Sequence, residues 1–106
     1  MRKKIGIFFV TLILVSSAIY AAKIHTVGQK DRKFTVSDLS IAVGDSVDFL
    51  NQDEFFHNVY SLSPAKIFDL GSYKKGESKK VIFDKAGVVE VKCAIHPDMK
   101  MIITVK

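Results

Sequence analysis

The sequence of 106 residues has a single cysteine, Cys93, so no disulfide can form within the chain. It has no internal repeat and no low-complexity segment, and no sustained helical periodicity follows residue 22. A domain of this size often needs a disulfide or a metal ion for stability, and the first of these is excluded. The length also excludes a two-domain enzyme.

The excess of positive charge is small in most of the chain. The net charge is +5, but three of the 16 basic residues are Arg2, Lys3 and Lys4. Residues 23–106 carry 13 basic and 11 acidic side chains, a net charge of only +2. The sequence therefore gives no support for a basic surface that binds nucleic acid.

An uncharged segment follows the basic start. Residues 5–22 include 14 hydrophobic residues among 18, and small residues cluster at 16–18 and 21–22. This pattern predicts a secretory signal peptide at residues 1–22, cleaved between residues 18 and 22. An uncleaved anchor is the alternative, since 18 residues reach about 27 Å as a helix. Either outcome places residues 23–106 in the periplasm or otherwise outside the cytoplasm, membrane-tethered only if the segment is retained.

Alternation of apolar and polar residues predicts strands in the rest of the chain. Val89, Val91 and Cys93 share one face, as do Met101 and the apolar residues that alternate after it. About seven to eight short strands with turns between them predict an all-β, Greek-key, antiparallel sandwich. Residues 61–78 are less regular and predict a long connection, with room for a short helical turn.

The residues that carry chemistry lie between Cys93 and Met99. A thiol, an imidazole (His96) and a thioether occur within seven residues, at the end of a predicted strand and in the turn after it. A second histidine, His57, lies 36 residues before the cysteine and is followed by Asn58. Two histidines, a thiolate and a weak thioether are the ligand set of a blue-copper electron-transfer site.

At these residues the sequence resembles the small blue (type 1) copper proteins of the cupredoxin family, such as amicyanin, plastocyanin and pseudoazurin. The resemblance covers nearly all of residues 23–106, including the segments 41–51, 56–59 and 87–93. It implies a cupredoxin domain that binds one copper ion, Cu(I) or Cu(II), through His57, Cys93 and His96, with Met99 as the axial ligand. It further implies that Asn58 braces the cysteine by hydrogen bonding.

Two methionines compete for the axial position. Met99 follows Cys93 by six residues, as in amicyanin, and Met101 by eight, as in plastocyanin and pseudoazurin. The related proteins have about six strand residues after the axial methionine. Met99 leaves residues 100–105 for that strand, so we favour Met99 and expect Met101 in the core.

Other side chains near the motif have simpler interpretations. His25 lacks a partner motif and is expected to be a partly exposed strand residue. At least one of Phe55 and Phe56 is expected in the core. Asp53, close by in sequence, could steer a partner from the surface, together with Glu54, Asp98 and Lys100. A cysteine enzyme is disfavoured, because it would need a base and a substrate cleft that so small a sandwich hardly offers. A structural zinc site is also disfavoured, because such sites rarely use methionine.

The function expected from this pattern is that of an exported, monomeric one-electron carrier, not an enzyme. It would exchange electrons with a dehydrogenase or a cytochrome through weak, transient docking near His96. The alternative is a copper-binding protein for copper delivery, storage or resistance. That role would favour methionine-rich or histidine-rich tracts, which the sequence lacks.

Overall fold

The structure is a computed structural model that describes Gly6 and residues 20–106. The predicted signal peptide, residues 1–22, lies outside the described residues except for Gly6 and residues 20–22. Among the residues described, no helix is long and apolar enough to cross a membrane.

Nine strands form two sheets within residues 20–106, which confirms the all-β sandwich. In chain order they are β1 Ile24–Lys30, β2 Lys33–Phe34, β3 Asp38–Ile41, β4 Ser46–Asn51, β5 His57–Ser61, β6 Phe68–Tyr73, β7 Ser78–Ile82, β8 Gly87–Cys93 and β9 Lys100–Val105. The strand order is β2-β1-β4-β7 in one sheet and β3-β9-β8-β5-β6 in the other.

The sheets are mixed: the expectation of an antiparallel sandwich holds for five of the seven strand pairs within residues 20–106 and is wrong for the other two. β1 pairs with β4 and β3 pairs with β9 in parallel. The chain crosses to the second sheet between β2 and β3 and returns to the first between β3 and β4, so neither parallel pair is joined by a hairpin. The prediction of a long irregular connection at residues 61–78 is also wrong in part, since β6 occupies its second half. The alternation of β6 was hard to recognise because Leu70 and Phe68 are only half-buried and Gly71 interrupts the pattern.

The core lies between the two sheets and follows the predicted alternation. Phe49 is fully buried and contacts the rings of Phe34 and Phe68 at centroid distances of 6.4 and 6.0 Å. Phe68 in turn meets Phe83 edge-on at 6.2 Å. Aromatic rings therefore connect the two sheets through the middle of the sandwich, a rigid frame for the residues at its ends.

Several strand ends meet at one end of the sandwich. β1, β4, β6 and β8 end there, and β5 and β9 begin there. The loops at this end include residues 31–32, 52–56 and 94–99. The start of β1, the end of β9 and the turn at Gly44, whose φ is 97°, lie at the opposite end. The predicted ligands thus belong to the end formed by these loops.

Candidate metal centre

Three of the predicted ligands converge at this end. His57 begins β5, Cys93 ends β8, and His96 lies in the turn that follows. The Cys93 Sγ atom is 3.6 Å from His57 Nδ1 and 3.9 Å from His96 Nδ1. One donor atom from each residue lies within 4.8 Å of the others, so the three side chains could hold a metal ion together.

The local backbone explains why the cysteine and the second histidine meet. Cys93 faces inward because it continues the buried face of Val89 and Val91. The chain then turns back over the strand end, where the Met99 amide donates to the His96 carbonyl at 3.0 Å and the Cys93 amide to the Met99 carbonyl at 3.3 Å. This short loop places the His96 ring above the sulfur.

The donor distances match a metal site. A first-row metal ion lies about 2.0–2.3 Å from nitrogen and sulfur donors, so donors that surround it in one plane are roughly 3.5–3.8 Å apart. The two Sγ–Nδ1 distances of 3.6 and 3.9 Å fall at this spacing or just beyond it. Thiolate suits Cu(I) and imidazole suits copper in both oxidation states, so the residues fit a copper ion.

A buried carboxylate sets the state of the His57 ring. His57 Nε2 lies 2.7 Å from Asp53 Oδ2, and a carboxylate can only accept, so Nε2 carries the hydrogen and Nδ1 remains free as a donor to metal. Burial alone would raise the pKa of Asp53. The hydrogen bond from His57 and those from the amides of Asp31 and Arg32 outweigh burial and lower the pKa, so Asp53 is an anion at neutral pH.

The surroundings of His96 favour its neutral form. Burial lowers its pKa below the ordinary value, the charge that a protonated His57 would carry and the charge of Arg32 lower it further, and Asp53 opposes the shift. A neutral imidazole is the form that binds a metal ion. The second histidine therefore meets the electrostatic condition for coordination as well as the geometric one.

Asn58 reaches the cysteine through its backbone. The Asn58 amide donates to Cys93 Sγ at 3.5 Å, and its carbonyl accepts from the Ala94 amide at 2.9 Å. The side-chain Oδ1 is buried and has no hydrogen-bond partner among the described residues. The contact expected of Asn58 is thus present as a main-chain bond, which residues of other types could also supply.

The two methionines occupy different places. Met99 lies in the loop and lines a shallow surface cavity of about 190 Å³ with His96 and Pro97. Met101 lies within β9, where it pairs with Val91 one pleat further from the strand end than Cys93. β9 spans Lys100–Val105, the strand that the sequence argument gave to an axial Met99. Met99 as the fourth ligand stays a prediction.

Sequence reasoning missed the surroundings of the two imidazoles. The Phe55 ring lies 5.2 Å from both the His57 and the His96 rings, and the Arg32 guanidinium lies 5.5 Å from the Phe55 centroid. Phe55 and Phe56 are 37% and 55% exposed, so the expectation that one of them is in the core is wrong. Phe55 covers the site instead, since the loop after β4 bends over the sandwich end.

The expected steering role of Asp53 is also wrong. Its carboxylate is buried and bonded to His57, so Asp53 belongs to the site and does not face a partner. Glu54 pairs with Lys75 at the surface, and Asp98 and Lys100 are exposed. His25 is half-buried and bonds Asp45 at 3.0 Å at the opposite end of the domain, far from the three donors.

Comparison with known proteins agrees with this geometry. Residues 21–106 match the family of copper binding proteins of the plastocyanin/azurin type. The methylamine utilization protein MauL of Methylorubrum extorquens is 31% identical over 64 residues, which are 59% of this chain and 56% of MauL. The match therefore spans little more than half of that relative.

Solved structures share the fold. A reduced amicyanin variant superimposes with a TM-score of 0.73 and 25% identity, over 84% of this chain and 88% of the amicyanin chain. The copper-containing nitrite reductase NirK of Thermus scotoductus gives a TM-score of 0.72 and 30% identity, over 77% of this chain but only 22% of the reductase.

The sandwich and its histidine–cysteine–histidine cluster define a type 1 cupredoxin. The chain belongs to the plastocyanin/azurin family of copper-binding proteins, and one copper ion is its cofactor.

Proposed function

We propose that the protein is an exported one-electron carrier with a single type 1 copper centre, bound by His57, Cys93, His96 and, axially, Met99. The observation that carries the proposal is the convergence of one sulfur and two imidazole nitrogens within 4.8 Å, at one end of a scaffold of this family. Copper, when bound there, supplies the change between Cu(I) and Cu(II).

The chain holds its donors in place for both oxidation states. His57 and Cys93 belong to paired strands, where Val59 lies opposite Cys93, and both side chains are buried. The Asn58 amide and the Asp53 carboxylate fix the sulfur and the imidazole from behind. Donors that cannot move far keep the rearrangement on electron transfer small, which is what a carrier requires.

His96 is the proposed exit for the electron. Its ring is half-buried, whereas His57 is fully buried, so His96 is the ligand nearest to a docked partner. Ala94, Ile95 and Pro97 are exposed beside it in the same loop and form an apolar rim. A small apolar surface suits the weak, transient docking of redox proteins.

The proposed partners are a dehydrogenase or a cytochrome as the donor and a further redox protein as the acceptor. One similar protein, MauL, is named for methylamine utilization, and this supports a metabolic redox enzyme as one of the partners. We further propose that the carrier acts as a monomer in the periplasm after removal of residues 1–22. The intact mass of the exported protein tests the removal of residues 1–22, because a retained anchor would leave the full-length mass.

We also propose that the protein has no enzymatic activity of its own. The chain covers only 22% of the nitrite reductase that it resembles, so it corresponds to one part of that enzyme. A nitrite reductase assay with the copper-loaded protein and a chemical reductant should give no turnover. Turnover that depends on Cys93 would contradict the carrier role.

Reversible cycling separates the carrier from its alternative, a protein for copper delivery or storage. The copper-loaded protein should pass repeatedly between its oxidised and reduced forms at constant copper content. Loss of copper to a chelating acceptor on each reduction would favour delivery instead. Because both functions can use identical ligands, the copper content measured over several cycles decides between them.

A further inference from the structure

The carboxylate of Asp53 is fixed from three directions. Its Oδ2 accepts from His57 Nε2 at 2.7 Å and from the Arg32 amide at 3.2 Å, and its Oδ1 accepts from the Asp31 amide at 2.7 Å. Its own amide donates to Asn51 Oδ1 at 2.8 Å. Every one of these contacts lies within hydrogen-bond range, so the carboxylate has little freedom to turn away from the histidine.

The two amides come from a strained turn. Asp31 and Arg32 connect β1 to β2 and have φ angles of 54° and 58°, a left-handed conformation that turns of this length usually give to asparagine and glycine. Neither residue is glycine, so the surrounding structure must hold the turn in this shape. The turn directs both amides at Asp53, so the strain of the turn is linked to the orientation of the Asp53 carboxylate.

We propose that Asp53 is a positioning residue of the metal centre, supported by the Asp31–Arg32 turn. It holds His57 with Nδ1 toward the Cys93 sulfur, and its negative charge favours the oxidised form of the centre. The inference rests on the proposed function, because it takes His57 as a ligand. Carboxylates behind ligating histidines orient the ring and increase its basicity.

The chain contains a matched control at its other end. His25 Nε2 lies 3.0 Å from Asp45 Oδ2, and Asp45 also accepts from the amides of Lys23 and Ala42. Asp45 is 1% exposed and Asp53 7%, so both carboxylates are buried. A substitution of either aspartate by asparagine breaks a histidine–carboxylate pair and disturbs two amide bonds, but only one pair belongs to the metal centre.

The experiment compares Asp53→Asn with Asp45→Asn in the copper-loaded protein. Asp53→Asn should raise the reduction potential, alter the visible spectrum and weaken Cu(II) binding by about 10–100-fold, as measured by competition with a chelator. Asp45→Asn should leave all three values at those of the unmodified protein, although both variants should unfold at lower temperature. Asp53→Glu, which keeps the charge, should return the potential toward the unmodified value.

The inference is overturned if Asp53→Asn has the potential, spectrum and Cu(II) affinity of Asp45→Asn. If the unmodified protein itself gives no blue site, the proposed function fails first. Should Asp53→Asn not fold, NMR of the reduced unmodified protein supplies the readout. The His57 Nε2 proton should then be a downfield resonance that exchanges slowly with water, and exchange as fast as that of a free imidazole would refute the role of Asp53.

Discussion

The fourth ligand can be tested with a matched pair of substitutions, Met99→Leu and Met101→Leu. Met99 lies in the loop beside His96, and Met101 lies in β9 opposite Val91. If Met99 is the axial ligand, Met99→Leu removes a donor that stabilises Cu(II) more than Cu(I). Its reduction potential should therefore rise and its visible spectrum should change, while Met101→Leu should alter neither.

The packing cost of the two changes should be nearly the same. Met99 and Met101 are 2% and 1% exposed, so each substitution exchanges one buried side chain for another of similar volume. Such an exchange costs less than about 1.5 kcal/mol. In a domain of this size, that limit corresponds to a fall in Tm of roughly 6–12 °C at most. Stability therefore cannot separate the two methionines, and the metal-centred measurements must.

The assay combines voltammetry and visible spectroscopy of the copper-loaded variants with thermal unfolding of the same samples. The expected result is two proteins of comparable Tm, of which only Met99→Leu has a shifted potential and spectrum. If Met101→Leu shows the shift and Met99→Leu does not, the ligand loop has the longer spacing. The argument from the length of β9 would then be wrong.

Three further predictions concern the sulfur ligand, the core and the acid stability. Cys93→Ser should abolish the blue colour on addition of Cu(II), since a hydroxyl cannot replace the thiolate, and His25→Ala should keep it; a blue Cys93→Ser protein would contradict the assignment. Phe49→Ala should lower the free energy of unfolding by about 3–5 kcal/mol in urea titrations, and a loss under about 1 kcal/mol would show that the ring is not central to the core. The hydrogen bonds from the Lys23 amide and the His25 ring lower the pKa of Asp45, so its contribution to stability is complete above about pH 4 and is lost as the pH falls further. The stability deficit of Asp45→Asn should therefore stay constant from about pH 7 to pH 5 and shrink below about pH 4, and a deficit as large at about pH 3 as at pH 7 would refute the reasoning.

The sequence predicts the strands wherever alternation is regular. Val89, Val91 and Cys93 are buried as expected, and so are Met101, Ile103 and Val105 in β9. It fails at β6, where partial burial and a glycine hide the period of two. It also fails to predict the parallel pairs, because strand direction depends on where the chain crosses between sheets and not on the pattern within a strand.

Part of the candidate site is predictable because its residues are close together in the sequence. Cys93, His96 and Met99 lie on one short loop, so their spacing alone limits where they can point. Phe55 and Asp53 could not be placed in this way, since their roles depend on how the loop after β4 folds over His57. The turn at Asp31 was equally hidden, because its partner is 22 residues away.

The two histidine–aspartate pairs show what separates structure from function in this domain. In each pair a ring Nε2 meets a buried carboxylate that also accepts two backbone amides. The pair at His25 faces the start of β1, where Asp45 fastens Tyr20 and Lys23 to the body of the domain. The pair at His57 has its free Nδ1 3.6 Å from a thiol. A buried carboxylate behind a histidine is thus part of the scaffold at both ends, and it becomes part of a metal centre only where the loop after β8 adds a sulfur and a second imidazole.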